Sequence, residues 1–298
     1  MPDPWGTKMN QKHASILYAI LAAALYAVNI PLSKLLLNHA GATMMAAFLY
    51  LGAGLGLLLY GMTESFVKKG KRQAHLTKKE LPYTIAMVVL DIMAPILLMS
   101  GIARTDSANV SLLNNFEIVA TSVIALVVFK EKISKRLWFA IFMVTTASVI
   151  LSFEGAGAFV WNTGSFLVLG ACVCWGFENN CTKMISHKSS TEIVVIKGCF
   201  SGLGSLITAL LLGEELPEIK WIGAILLLGF VAYGLSIKFY VMAQQHLGAA
   251  KTSAYYSIAP FLGVAFSLLL LGERPTEQFY AAMLLMIAGT AVTAKDSV

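Results

Sequence analysis

The 298-residue chain is 57% hydrophobic and only 13% charged, against about 45–50% and about 25% in soluble domains, which excludes a water-soluble globular fold. Its formal charge of +6 comes without a basic stripe interleaved with aromatics, which argues against nucleic acid as a partner. Crossing the roughly 30 Å hydrocarbon layer takes about 20 mostly apolar helical residues, and such runs recur along the whole chain.

Charge, Gly and Pro punctuate the runs. They predict an all-α polytopic membrane protein with ten transmembrane helices, at 14–37, 42–62, 82–101, 107–129, 137–153, 164–186, 192–212, 221–243, 252–271 and 279–294. The first run follows Lys8 and Lys12 and contains Ala22-Ala23-Ala24, as a secretory signal would. It outlasts the usual 7–15 residue signal core, however, and reads as a span.

In the third run Asp91 sits about nine residues in, roughly 13 Å at 1.5 Å per residue, close to the bilayer centre. An ionisable group at that depth usually faces a bundle interior or a wet cavity. Pro95 removes a backbone donor beside it and favours a kink. The fourth run places Ser111, Asn114, Glu117 and Thr121 at helical spacing on one face, either lining a cavity or joining two helices. A carboxylate is the costlier glue, which favours the cavity, while Asn115 points about 100° away. In the sixth run Trp175, Glu178 and Thr182 share a face, with Asn179 next to them.

Lys197 in the seventh run lies in the same leaflet as Glu178. Pairing lowers the burial cost of both charges, so a buried Glu178–Lys197 ion pair is expected; a structural role and a gating or coupling role both stay open. Lys238, near the end of the eighth run, is expected to snorkel to the interface. Tyr255, Tyr256 and Ser257 precede Pro260 in the ninth run, where the rings either flank a solute, gripping a cation through their π faces, or pack the core. Cys172, Cys174, Cys181 and Cys199 lack metal-ligand spacing and read as packing residues, so no metal, disulfide or cofactor is expected. Neither HExxH nor GxSxG occurs, and the five His sit near run ends, which argues against an intramembrane enzyme.

Alternate loops differ in charge. One side carries sixteen Lys and Arg, including Lys68, Lys69, Lys71, Arg72, Lys130, Lys132, Lys135 and Arg136; the other carries Lys34, Arg104, Lys220 and Arg274. The bias places both termini in the cytoplasm. Residues 108–150 align with 250–292 at an offset of 142, matching Ser111 to Ser253 and Glu131 to Glu273. A second register sets Tyr26-Ala27 beside Trp175-Gly176. The chain thus divides into a five-helix repeat at 14–153 and another at 164–294. Five is odd, so the second half enters the membrane from the opposite face, an architecture recurrent in secondary transporters.

Trp175-Gly176, the run from His246 to Ser253, Pro260 and Leu271-Gly272-Glu273-Arg274 resemble EamA-type members of the drug/metabolite transporter superfamily, with Lys130-Glu131-Lys132 as a degenerate first copy of the last motif. The resemblance implies two inverted repeats around a central cavity and metabolite export or exchange by alternating access. Where members often carry Pro in the fourth span, this chain has Glu117-Ile118. Three deep acids against two Lys favour an amine-bearing, amino-acid-like substrate. An organic-cation/drug-proton antiporter and a lipid-linked flippase are the alternatives within the superfamily. Asp91, Asn114, Glu117, Trp175, Glu178, Asn179, Tyr255, Tyr256 and Ser257 are the expected substrate-binding residues, and Glu178, Lys197 and Lys238 the expected coupling or gating residues. The expected partners are a small-molecule substrate, protons or a counter-solute, and the lipid bilayer of the plasma membrane. The expected assembly is a monomer or homodimer.

Overall fold

Apolar runs this long leave the backbone no water to bond with, so each run must close its own hydrogen bonds as helix. The computed structural model describes residues 11–67, 74–130, 134–154, 160–247, 252 and 255–296. Of the sequence signals, Lys8, Lys68 to Arg72, Glu131, Lys132, Gly248 to Lys251 and Ser253 lie outside the described residues.

Among the described residues, the predicted runs are helical apart from the short breaks given below. They form α1 (Gln11–Ala27) with α2 (Asn29–Leu36), α3 (Ala42–Val67), α4 (Leu81–Arg104), α5 (Ser107–Leu113) with α6 (Phe116–Val127), α7 (Lys135–Leu151), α8 (Thr163–Ile185), α9 (Ser190–Leu211), α10 (Ile219–Leu228) with α11 (Ser236–Leu247), α12 (Ala259–Leu271) and α13 (Glu277–Asp296). Among the described residues the one β pairing is a two-residue ladder, Phe153-Glu154 against Val160-Trp161. Six of the helical stretches are long and apolar enough to cross a membrane, and Trp138–Leu151, Ala259–Leu271 and Glu277–Val292 are shorter apolar helices. The 23-residue α8 is not among the six; its Glu178-Asn179-Asn180 segment makes it too polar. Large apolar side chains such as Leu59, Phe142, Leu211 and Leu269 face outward, as a lipid-facing surface requires.

Four of the predicted runs are interrupted, and three interruptions have a local cause. Pro31 has no N–H to give the Ala27 carbonyl, and the helix breaks at Val28 between α1 and α2. Pro260 likewise has none for the Tyr256 carbonyl, and Ser257 and Ile258 form a turn before α12. Asn114-Asn115, residues of low helix propensity, separate α5 from α6, so the predicted single helix over 107–129 is two. The fourth interruption is a π-helical turn, Gly229–Leu235, joining α10 to α11. By contrast α4 runs unbroken through Pro95.

The helices pair in a pattern: α3 with α9, α4 with α8, α1 with α11, α5 with α12, and α7 with α13. Replacing each run by the one five places along maps this set of pairs onto itself. The α3–α9 pair crosses backbone to backbone, because Gly54 and Gly198 face each other and a methyl group on Gly198 would overlap the Gly54 nitrogen. Two Leu-Gly-Glu segments tie the ends of other helices. Gly213 and Gly272 each take the left-handed conformation that Gly adopts without strain, turning the next residue inward. Glu214 then accepts from Thr43 N (3.1 Å) and Met44 N (2.7 Å) at the start of α3, and Glu273 from Ser107 N (2.8 Å) and Ala108 N (2.7 Å) at the start of α5. A carboxylate suits both places, since the first amides of a helix lack intrahelical partners and carry its positive dipole end.

Gly198→Leu should lower the thermal midpoint of the purified protein, because forcing bulk into a packed crossing destabilises by about 1–3 kcal/mol or more. Gly223→Leu, with open space around it, should leave the midpoint nearly unchanged. Equal midpoints for the two variants would overturn the backbone crossing.

Candidate functional site

The four interruptions meet at one side chain. Tyr26, two residues before the break at Val28, lies 5.7 Å from the Tyr233 ring in the π-helical turn and 6.0 Å from Tyr256, which precedes the turn before α12. Asn114, at the interruption between α5 and α6, donates from Nδ2 to the Tyr26 hydroxyl at 3.3 Å. Irregular backbone at membrane depth is tolerated where it is buried in protein or lines a cavity. Two polar groups lie side by side there.

The first is sealed. Lys197 on α9 places its ammonium 3.0 Å from Glu178 Oε1 on α8 and 3.1 Å from Asp91 Oδ2 on α4. Asp91 has no exposed surface, and Glu178 and Lys197 are buried. Thr182 donates to Glu178 from one turn away. Tyr50 on α3 donates its hydroxyl to Asp91 Oδ1 at 2.9 Å and accepts from Trp175 Nε1 at 3.5 Å. Lys197 thus sits within ion-pairing distance of both carboxylates. The face shared by Trp175, Glu178 and Thr182 is thus spent entirely on this cluster.

The second is half-open. Glu117 on α6 accepts from Asn179 Nδ2 at 2.7 Å, and Asn179 also approaches Thr121 Oγ1 at 3.4 Å. Glu117, Asn179, Tyr26, Tyr240 and Tyr256, from five separate segments of the chain, are all partly exposed. Tyr240 meets Tyr256 edge-on at 5.0 Å. Glu117 lies within electrostatic reach of Tyr26, Tyr233 and Tyr256. Two clefts, of about 390 and 430 Å³, lie at opposite ends of α9 and are lined by none of these residues.

The sequence-derived residues therefore fall into two groups. Glu178 pairs with Lys197 as the shared leaflet suggests, and Asp91 joins them as a third member. This corrects its expected place on a cavity wall: in this conformation it is enclosed and ion-paired. Trp175 belongs with the sealed group, whereas Asn114, Glu117, Asn179 and Tyr256 belong with the half-open one. Ser111 parts from its stripe and packs against Gly263 of α12, while Asn115 points away toward Met286. Tyr255 is half-buried and Ser257 buried beside the turn before α12. Lys238 does not snorkel; it is buried, with its ammonium 3.8 Å from the Tyr60 ring centre, apart from the Lys197 cluster. Tyr26, Tyr50, Tyr233 and Tyr240 escaped the sequence reading of the site, because an aromatic residue in an apolar run reads as packing. The repeat registers touched one of them, setting Tyr26 beside Trp175.

A family model described as the EamA-like transporter family matches residues 13–153 and 162–295. A protein of Methanothermobacter thermautotrophicus described as an uncharacterized transporter is 24% identical over 271 residues, which cover 85% of this chain and 78% of that protein. One solved structure, described only as the crystal structure of a protein, superposes with a TM-score of 0.70 at 14% identity, covering 95% of this chain and 96% of the other. That likeness shows the fold.

Removing one partner of a buried ion pair typically costs about 3–5 kcal/mol, because the other charge stays buried and unpaired. Lys197→Met should therefore lower the thermal midpoint sharply, and adding Asp91→Asn and Glu178→Gln to it should recover most of the loss. A single variant that melts with the wild type would show that Lys197 does not hold the cluster.

Proposed function

Because the chain belongs to the EamA-like transporter family, we propose that it is a secondary transporter with ten spans arranged as two inverted five-helix repeats, 14–153 and 164–294. Both termini lie on the cytoplasmic side of the plasma membrane. Its substrate is a small polar organic molecule bearing an amine, exported or exchanged by alternating access. The observation that carries this reading is the meeting of four interrupted helices around Tyr26, with a half-open carboxylate, Glu117, on one side. Broken helices at a repeat interface are where transporters of this architecture hold their substrates. The pairing of helices, unchanged when each run is replaced by the one five later, supports the inverted repeats.

The sealed cluster supplies the coupling element. With all three groups ionised, Lys197, Asp91 and Glu178 carry one net negative charge in a region where charge is expensive. One proton taken up by the cluster removes that charge. Trp175, Glu178 and Asn179 sit within five residues on α8, so the helix that contacts the ion cluster also contacts Glu117. A proton is accordingly the counter-solute this arrangement suits.

In liposomes loaded with radiolabelled amines, Glu117→Gln should cut flux about tenfold or more, the factor given by about 1.4 kcal/mol, while the variant stays folded. Normal flux would remove Glu117 from the substrate path. A cysteine replacing Lys79, which is exposed, should react with an impermeant maleimide only from the cytoplasmic side of cysteine-free protein in cells. Labelling from outside would invert the topology.

A further inference from the structure

We infer that Glu273 is a release clasp: it holds the half-helix α5 against α12, which closes one end of the molecule, and its release opens that end toward the half-open group around Glu117. The inference rests on the transporter reading and adds to it the contact that must break for the closed end to open.

The half-helix α5 is placed as a plug. Its residues Ser107–Leu113 span about 10 Å at 1.5 Å per residue, from the amides held by Glu273 to the Asn114 that bonds Tyr26. Lys34, near the end of α2, donates to the Ile102 and Thr105 carbonyls at 2.6 and 2.7 Å, so α2 ends where α5 starts. Ser107, Ala108, Val110, Ser111, Leu112 and Leu113 are all buried. Glu117, just past the break, and its partner Asn179 are partly exposed. The way from the half-open group to this end is therefore filled by α5.

The same carboxylate contact occurs at Glu214, and the two surroundings differ. Glu214 joins α3 to the loop after α9, a pair already pressed together at the backbone where Gly54 faces Gly198 and Gly202 faces Leu51. Freed of Glu214, that pair would stay where it is. By contrast α5 meets α12 through small side chains. Ser107 Oγ lies 2.9 Å from Ser267 Oγ, and Ser111 packs against Gly263 with its hydroxyl buried and receiving no hydrogen bond among the described residues. Ser267 also donates to the Gly263 carbonyl of its own helix at 2.8 Å, so it keeps a partner when α5 leaves. Glu273 is the charged tie between the two, one oxygen on each of two amides, and bonds to an ionised acceptor are about twice as strong as neutral ones. At its other end α5 has a pivot. The amides of Asn115, Glu117 and Ile118 bond to carbonyls three residues back, tight turns of a kind that often mark a hinge.

Spin labels on Asp106→Cys and Arg274→Cys, both exposed positions, report the separation of α5 from the loop after α12 in purified, otherwise cysteine-free protein in nanodiscs. Glu273→Gln keeps the side chain's shape but turns one acceptor into a donor facing an amide, and it should raise the share of a longer label distance by about tenfold or more. Glu214→Gln, read with labels on Asn38→Cys and Glu215→Cys, should lower the thermal midpoint and keep the wild-type distance. Ser107→Cys with Ser267→Cys, oxidised to a disulfide, should stop amine flux in liposomes, and reduction should restore it. A label distance indifferent to Glu273→Gln, an equal shift at both clasps, or flux undiminished by the cross-link would each overturn the inference. Should Glu273→Gln fail to fold, Glu273→Asp, one methylene shorter, takes its place. Protein that opens on Glu273→Gln yet moves no amine in any form upholds the clasp and sinks the transporter reading; amine flux through protein whose label distance ignores Glu273 does the reverse.

Discussion

Lys197 is the side chain on which the rest of the interior depends. It stands on α9 and reaches Asp91 on α4 and Glu178 on α8, so one ammonium ties three helices together. Neither carboxylate could stay charged there without it, because an isolated ion in low dielectric is far costlier than a pair. Through Asp91 the cluster extends to Tyr50 on α3 and from there to Trp175, back on α8. The polar heart of the molecule is therefore a closed circuit, with every element holding the next.

Beside this circuit lies a group of opposite character. Glu178 and Asn179 are neighbours in sequence, yet helical geometry turns successive side chains about 100° apart. One faces the sealed ions and the other faces Glu117 and Thr121. Tyr233 bridges the two regions, since its ring lies 5.1 Å from Tyr50 and 5.7 Å from Tyr26 and its hydroxyl accepts from Asn29 at 3.2 Å. Packed rings and one helix thus join the two carboxylate groups.

Much of this was legible in the sequence, and what was not has a physical reason. Hydropathy located the helical stretches among the described residues because length and apolarity are local properties. Depth along a helix is local too, which is how Glu178 and Lys197 could be matched by leaflet. Azimuth is a property of packing: nothing in 82–101 tells which neighbour Asp91 faces, so its membership of the Lys197 cluster stayed hidden and a cavity wall looked equally natural. The interruptions were partly written in the chain, in Pro31, in Pro260 and in the Asn114-Asn115 pair. The π-helical turn at 229–235 has no comparable marker beyond Gly229 and Gly234. Tyrosines were the largest omission, since the same ring serves a core and a binding wall, and only its neighbours distinguish them.

The glycine seam sets where the molecule can yield. Gly54 against Gly198, Gly52 against Leu226 and Gly229 against Leu49 bring main chain onto main chain, leaving no side chains there to act as a compliant layer. Helices α3, α9 and α10 are consequently locked into a single stiff plate, and sliding one past another would mean lifting a whole backbone clear. The half-helices α2, α5, α6 and α12 carry their breaks outside this seam.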